Sequence, residues 1–196
     1  MEDPNVLENM PLYESQISEV NPNITFIEAS DLLEVLNMAI ENQAADDDDN
    51  VSGLVYKLQQ GVIVRYVYHD DLGKATSGHF VALKINGTEL SVFDSLGILF
   101  TPHHTSIDEG SNDLTIFIEY LEKRVFLDGH ALTLDIKQKN YQALDSDIST
   151  CGRWCLFFIH LSVNNSEFAK YWAELSGYFK HKTTNDIRIS IITHLV

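Results

Sequence analysis

A cysteine paired with a histidine can do nucleophilic acyl chemistry near neutral pH, and this chain has only two cysteines. Cys151 lies in Thr150-Cys151-Gly152-Arg153-Trp154-Cys155. It stands at the head of an apolar stretch, Gly152–Val163, which reads as a buried helix capped by Thr150. A thiol in a first helical turn meets the positive end of the helix dipole and unpaired N–H groups, and both favour the thiolate. Gly152 lets a substrate backbone come close, and the same N–H groups can face an oxyanion. Gln142, nine positions upstream, offers a side-chain amide as a second oxyanion donor.

A base for this nucleophile comes from a hairpin. The apolar runs His79–Ile85 and Thr88–Phe93 are split by Asn86-Gly87, the strongest short hairpin signal. A two-residue loop pairs Ile85 with Thr88, and that register sets His79 directly opposite Asp94. A carboxylate there orients an imidazole as a general base. Nucleophile, base, orienting acid and oxyanion donor are then all present.

At this point the motifs resemble a known family. Gly78-His79-Phe80-Val81-Ala82-Leu83, Phe93-Asp94-Ser95-Leu96-Gly97, Tyr141-Gln142 and Ser149-Thr150-Cys151-Gly152 are similar to the adenovirus protease (adenain) and ubiquitin-like-protein protease superfamily. Cys-Gly-x-x-Cys before Leu156-Phe157-Phe158-Ile159-His160 is most like the adenain-like proteases of DNA viruses, virophages and Polinton-type elements. The resemblance spans about residues 75–165. It implies a papain-like or adenain-like fold with Cys151 opening a central buried helix. By position it makes Cys151 the nucleophile, His79 the base, Asp94 its orienting acid and Gln142 the oxyanion donor. Gly152, Phe80 and Trp154 are the expected substrate-binding residues.

The resemblance further implies a thiol endopeptidase that cleaves viral capsid or other structural precursors after Gly during virion maturation, acting in the virion and the host cytoplasm or viral factory. A ubiquitin-like-modifier deconjugating protease would use the same residues. A non-catalytic binding module on a protease scaffold is the third reading. Three departures stand out. Phe80 occupies a place where the family commonly has Trp, and the Gln142–Cys151 gap is slightly longer than usual. The DNA and basic-peptide activation of the adenovirus enzyme is not carried over.

Charge and composition limit the alternatives. Net charge is −16, and residues 1–50 hold 13 acids with no Lys, Arg or His. The remaining residues hold 16 acids against all 13 bases. So acidic a chain argues against nucleic acid as a partner; Lys137, Lys139, Lys180 and Lys182 read as solvated surface. The acidic segment instead suits a basic partner, or a role in covering a cleft. Asp46–Asp49 lacks the Gly and terminal Glu of a calcium loop, and His103-His104 lacks a third ligand. No metal or other cofactor is expected, and no phosphate loop is present. Cys151 and Cys155 make no disulfide framework, so Cys155 reads as a small buried apolar residue. His160 lies too far along the helix to be the base. Ser95 reads as a strand-end hydroxyl satisfying Asp94 or its own turn, and Asp70-Asp71 as a strand-end turn. The start, Met1-Glu2-Asp3-Pro4, carries no basic or apolar leader, and no apolar run is long enough for a bilayer; a non-secreted protein is expected.

The elements that must position these residues read as one α+β domain, an antiparallel sheet packed against helices. It would comprise an acidic segment (1–50), a catalytic core (54–165) and C-terminal helices (166–196). After a turn at Asn21-Pro22-Asn23, a strand is expected at Ile24–Ile27. A helix capped by Ser30 would run to Gln43. Strands follow at Leu54–Leu58 and Val62–Tyr68, then the hairpin. Asn112 or Asp113 would cap a helix over Leu114–Phe126, with a strand at Leu132–Ile136. Ser166 would cap Glu167–Phe179, with Phe168, Tyr171, Trp172, Leu175 and Phe179 inward. A last helix covers Asp186–Leu195.

Overall fold

The structure, a computed structural model, describes residues 19, 21–43, 49–69, 75–97, 110–136, 139–143, 150–179 and 184–194. Residues 1–18, Asp46–Asp48, Asp70-Asp71, His103-His104, Lys137, Lys180 and Lys182 lie outside that set.

Strand β1 (Thr25–Glu28) leads through a short 3-10 turn into helices α1 (Leu32–Gln43) and α2 (Asp49–Gln60). Strands β2 (Val62–His69), β3 (Ala75–Asn86) and β4 (Glu89–Phe93) follow, then α3 (Gly110–Arg124). A small β5–β6 hairpin (Phe126–Leu127, His130–Ala131) precedes β7 (Thr133–Asp135). Helices α4 (Cys151–Leu161), α5 (Asn165–Gly177) and α6 (Asn185–His194) complete the described chain. The main sheet has the order β1-β2-β3-β4-β7. It is mixed rather than antiparallel: β1–β2 and β4–β7 run parallel about an antiparallel centre.

Strand alternation builds two cores. Val62, Val64, Val81, Leu83, Ile85, Leu90 and Val92 cluster with Leu32, Leu54, Leu58, Phe117 and Leu121, so α1, α2 and α3 cover one face. Ile63, Ala82 and Phe93, the residues of opposite parity, cluster with Trp154, Phe158, Phe168, Trp172 and Ile189 of α4, α5 and α6. Both faces are therefore covered, which explains strands that are apolar on both sides. Phe93 stacks on Phe158 with ring centroids 4.5 Å apart. On the same face Lys84 reaches the end of α4, where its Nζ donates to Ile159 O at 3.0 Å and to Ser162 Oγ at 2.8 Å. A cation there complements the negative end of the helix.

Several expected boundaries move, each for a local reason. Leu54–Leu58 is helix, not strand: Leu54, Val55 and Leu58 are buried at i, i+1, i+4, a helical spacing masked by Val55 and Tyr56. Gly61, at φ +119°, ends that helix. Ser30 lies inside the 3-10 turn and donates to Asp31 instead of capping. Asn112 and Asp113 lie in the first turn of α3, which begins at Gly110. Asn164, not Ser166, caps α5, through a reciprocal capping box with Glu167. Tyr171 is exposed rather than inward. Among the described residues, no helix is long and apolar enough to cross a membrane.

Phe158 is fully buried, so Phe158→Ala should cost about 3–5 kcal/mol. Urea unfolding should show a lower midpoint; an unchanged midpoint would mean that the second core does not carry the sheet.

Candidate active site

The hairpin register differs from expectation. Asn86 pairs with Glu89 and Ala82 with Phe93, so Gly87 and Thr88 form the turn, with Gly87 at φ +58°. Asp94 thus falls opposite Val81, two places from His79. A shift of two preserves parity, and diagonal neighbours remain within reach of long side chains. His79 Nε2 lies 2.7 Å from Asp94 Oδ1. Contact is made across the diagonal, just beyond the last β3–β4 pair.

Asp94 is itself fixed. Its Oδ1 also accepts the Leu96 N–H at 2.9 Å, and its carbonyl accepts the Gly97 N–H at 3.1 Å. Gly97 takes φ +66° and packs so tightly on the backbone of Lys139–Asn140 that a Cβ would come within 2.9 Å of it. This turn therefore needs glycine, and it brings the 139–143 chain alongside Asp94.

Cys151 is the first residue of α4 and is buried, as is Gly152. The first intrahelical bond at this end runs from Trp154 N to Thr150 O at 3.1 Å. The N–H groups of Cys151 and Gly152 thus have no partner within the helix, and the first turn holds no acidic residue. Thr150 occupies the cap position, but its side chain makes no cap bond; its hydroxyl donates to Asp186.

Cys151 lies near enough to His79 to act on its pKa. Because Nε2 is engaged by Asp94, Nδ1 is the ring nitrogen left for the thiol. Burial lowers the His79 pKa, but hydrogen bonds and charge from Asp94 and Cys151 outweigh it and raise the value from 6.5 to about 10. The arrangement favours the imidazolium form of His79. Burial, with the charges of Cys151 and Asp94, pushes the Cys155 thiol well above its ordinary value, so the second cysteine stays protonated and inert.

Gln142 is buried in a segment with no regular structure. Ser95 grips it: Ser95 O accepts the N–H groups of Tyr141 at 2.8 Å and Gln142 at 3.0 Å, and Ser95 Oγ donates to Gln142 Oε1 at 2.9 Å. Fixing Oε1 fixes which way the amide faces. Ser95 thus serves Gln142 rather than Asp94. Its position next to Asp94 was the available signal, but its partner lies 47 residues away.

The other expected residues separate. Phe80 is half-buried and meets Phe26 edge-on, centroids 6.5 Å apart. Trp154 is fully buried among Tyr141, Phe168 and Trp172. Its indole N–H is directed to Asp186 at 3.3 Å, so it belongs to the core and cannot line a substrate cleft. His160 is exposed at the far end of α4. Among the described residues, no group of three His, Cys, Asp or Glu is placed to hold a metal ion.

No family model, curated protein or solved structure matches this chain.

His79 gives a pH prediction. Its folded pKa exceeds the unfolded 6.5, so its stabilisation is complete below pH 6.5 and is lost as pH rises through about 10. Urea unfolding free energies of the wild type and His79→Gln should therefore converge as pH climbs through that window. A difference that widens over it would contradict the imidazolium.

Proposed function

We propose that the protein is a cysteine endopeptidase of the adenain-like kind, with Cys151 as nucleophile. The observation that carries the reading is the placement of buried His79, hydrogen-bonded to Asp94 and close to Cys151 at the head of a buried helix. In this reading the Cys151 thiolate attacks a peptide carbonyl. Negative charge on the carbonyl oxygen is met by N–H groups of the α4 first turn and by the Gln142 side-chain amide. His79 gives its Nδ1 proton to the leaving amine, and a thioester remains on Cys151. Neutral His79 then takes a proton from water, which attacks the thioester, and Cys151 leaves as the thiolate. Asp94 holds the ring and stabilises the imidazolium throughout.

The substrate class follows from the resemblance of the motifs. It points to viral capsid or other structural precursors, cut after Gly in virions or the infected cell. Gly152, next to the nucleophile, carries no side chain to crowd a substrate backbone, which suits a glycine before the scissile bond. The family's fold, and a virophage- or Polinton-like source, belong to the same proposal.

Cys151→Ala should abolish cleavage of precursor peptides with a Gly-x junction while leaving the thermal midpoint within a few degrees. Gln142→Ala should lower kcat by roughly a hundredfold. Cleavage that survives in Cys151→Ala would sink the mechanism. Preference for a ubiquitin-like conjugate over the precursor peptides would redirect the substrate but leave the chemistry standing.

A further inference from the structure

One buried carboxylate is not used by this chemistry. Asp186, in the first turn of α6, is 1% exposed. Its Oδ1 accepts from the Thr150 hydroxyl and, at 3.3 Å, from the Trp154 indole N–H. Its Oδ2 accepts the backbone N–H of Ala143 at 2.9 Å. One oxygen therefore holds the start of the nucleophile helix, and the other holds the residue after Gln142. The neighbouring Asn185 adds a bond from its Nδ2 to Tyr141 O at 3.2 Å. The Gln142 segment is thus bracketed, with Ser95 on one side and the start of α6 on the other.

We infer that Asp186 is a positioning residue, which sets the spacing between the α4 first turn and the Gln142 amide and so assembles the oxyanion site. The inference rests on the proposed protease reading. A carboxylate is required because Trp154 and Ala143 offer only N–H donors, one to each oxygen. An amide in its place has one acceptor, so one of the two donors is orphaned whichever way the amide turns. The two Asp186 oxygens take their hydrogen bonds from Thr150, Trp154 and Ala143. Its loss should disturb the oxyanion donors and spare the thiolate–imidazolium pair. Helix α6 has other anchors, Ile189 in the core and the Arg153–Thr193 hydrogen bond at 3.0 Å, so it stays docked in the variant.

The test compares wild type and Asp186→Asn by two probes. Alkylation of Cys151 by iodoacetamide reports the thiolate and needs no oxyanion site. Turnover of a fluorogenic peptide ending in Gly-Gly before an aminocoumarin needs both. Asp186→Asn should lose at least about tenfold in kcat, with KM and the alkylation rate each within about twofold of wild type. Trp154→Phe, which removes one donor and keeps an aromatic ring in the core, should lose kcat in the same way. The double variant should lose no more than Asp186→Asn alone. Should Asp186→Asn fail to fold, Trp154→Phe carries the test by itself. Unchanged kcat would overturn the inference, as would a parallel fall in kcat, alkylation rate and thermal midpoint. A wild type that neither turns over the peptide nor alkylates selectively at Cys151 would overturn the protease reading, and the inference with it.

Discussion

A histidine and a carboxylate 2.7 Å apart, both nearly sealed from water, form a bond that must be complete or be a liability. Burying either charge alone is costly, and a partner recovers that cost only with good geometry and further hydrogen bonds. Asp94 has the Leu96 N–H as a further donor, and Cys151 lies close to His79. Much of the fold serves this arrangement. The β3–β4 hairpin brings the two residues to one end of the sheet. The glycine turn at Gly97 closes behind Asp94. The second core seats α4 so that its first residue meets the imidazole.

Helix α4 is held at both ends. Lys84 secures its C-terminal carbonyl and the left-handed Ser162. At the other end Thr150 and Trp154 share one oxygen of Asp186. Between these anchors α4 packs through Trp154, Cys155 and Phe158, each with essentially no exposure. A helix so constrained has little freedom to slide, which suits a nucleophile that must meet a base to within a fraction of an ångström. The Gln142 segment lacks a helix or strand of its own, and Ser95, Asn185 and Asp186 supply its rigidity instead.

What the sequence disclosed was mostly local. The thiol at the head of an apolar helix, the Asn-Gly hairpin and the short β1 could be read from residue types and spacing. The His79–Asp94 contact was legible for a partly mistaken reason: the turn sits one residue later than Asn-Gly suggests, and an unchanged parity kept the pair together. Leu54–Leu58 misled because Val55 and Tyr56 suit a strand, whereas burial at 54, 55 and 58 selects a helix. Two strands run parallel to their neighbours because strand direction is set by crossovers, which residue pattern does not encode. Ser95 reads in the sequence as a local strand-end hydroxyl, and Asp186 only as the start of the last helix, because the partners of both are long-range; only the packing of α6 on α4 gives Asp186 its role.

The central claim is that Cys151 is an activated nucleophile and Cys155 is not. The most direct measurement is the pH dependence of iodoacetamide alkylation at each cysteine, read by peptide mass mapping in wild type and His79→Ala. The account predicts rapid labelling at Cys151 alone, already at about pH 6, and its loss in the variant. Slow labelling of Cys151 that follows an ordinary thiol titration and ignores His79 would contradict it.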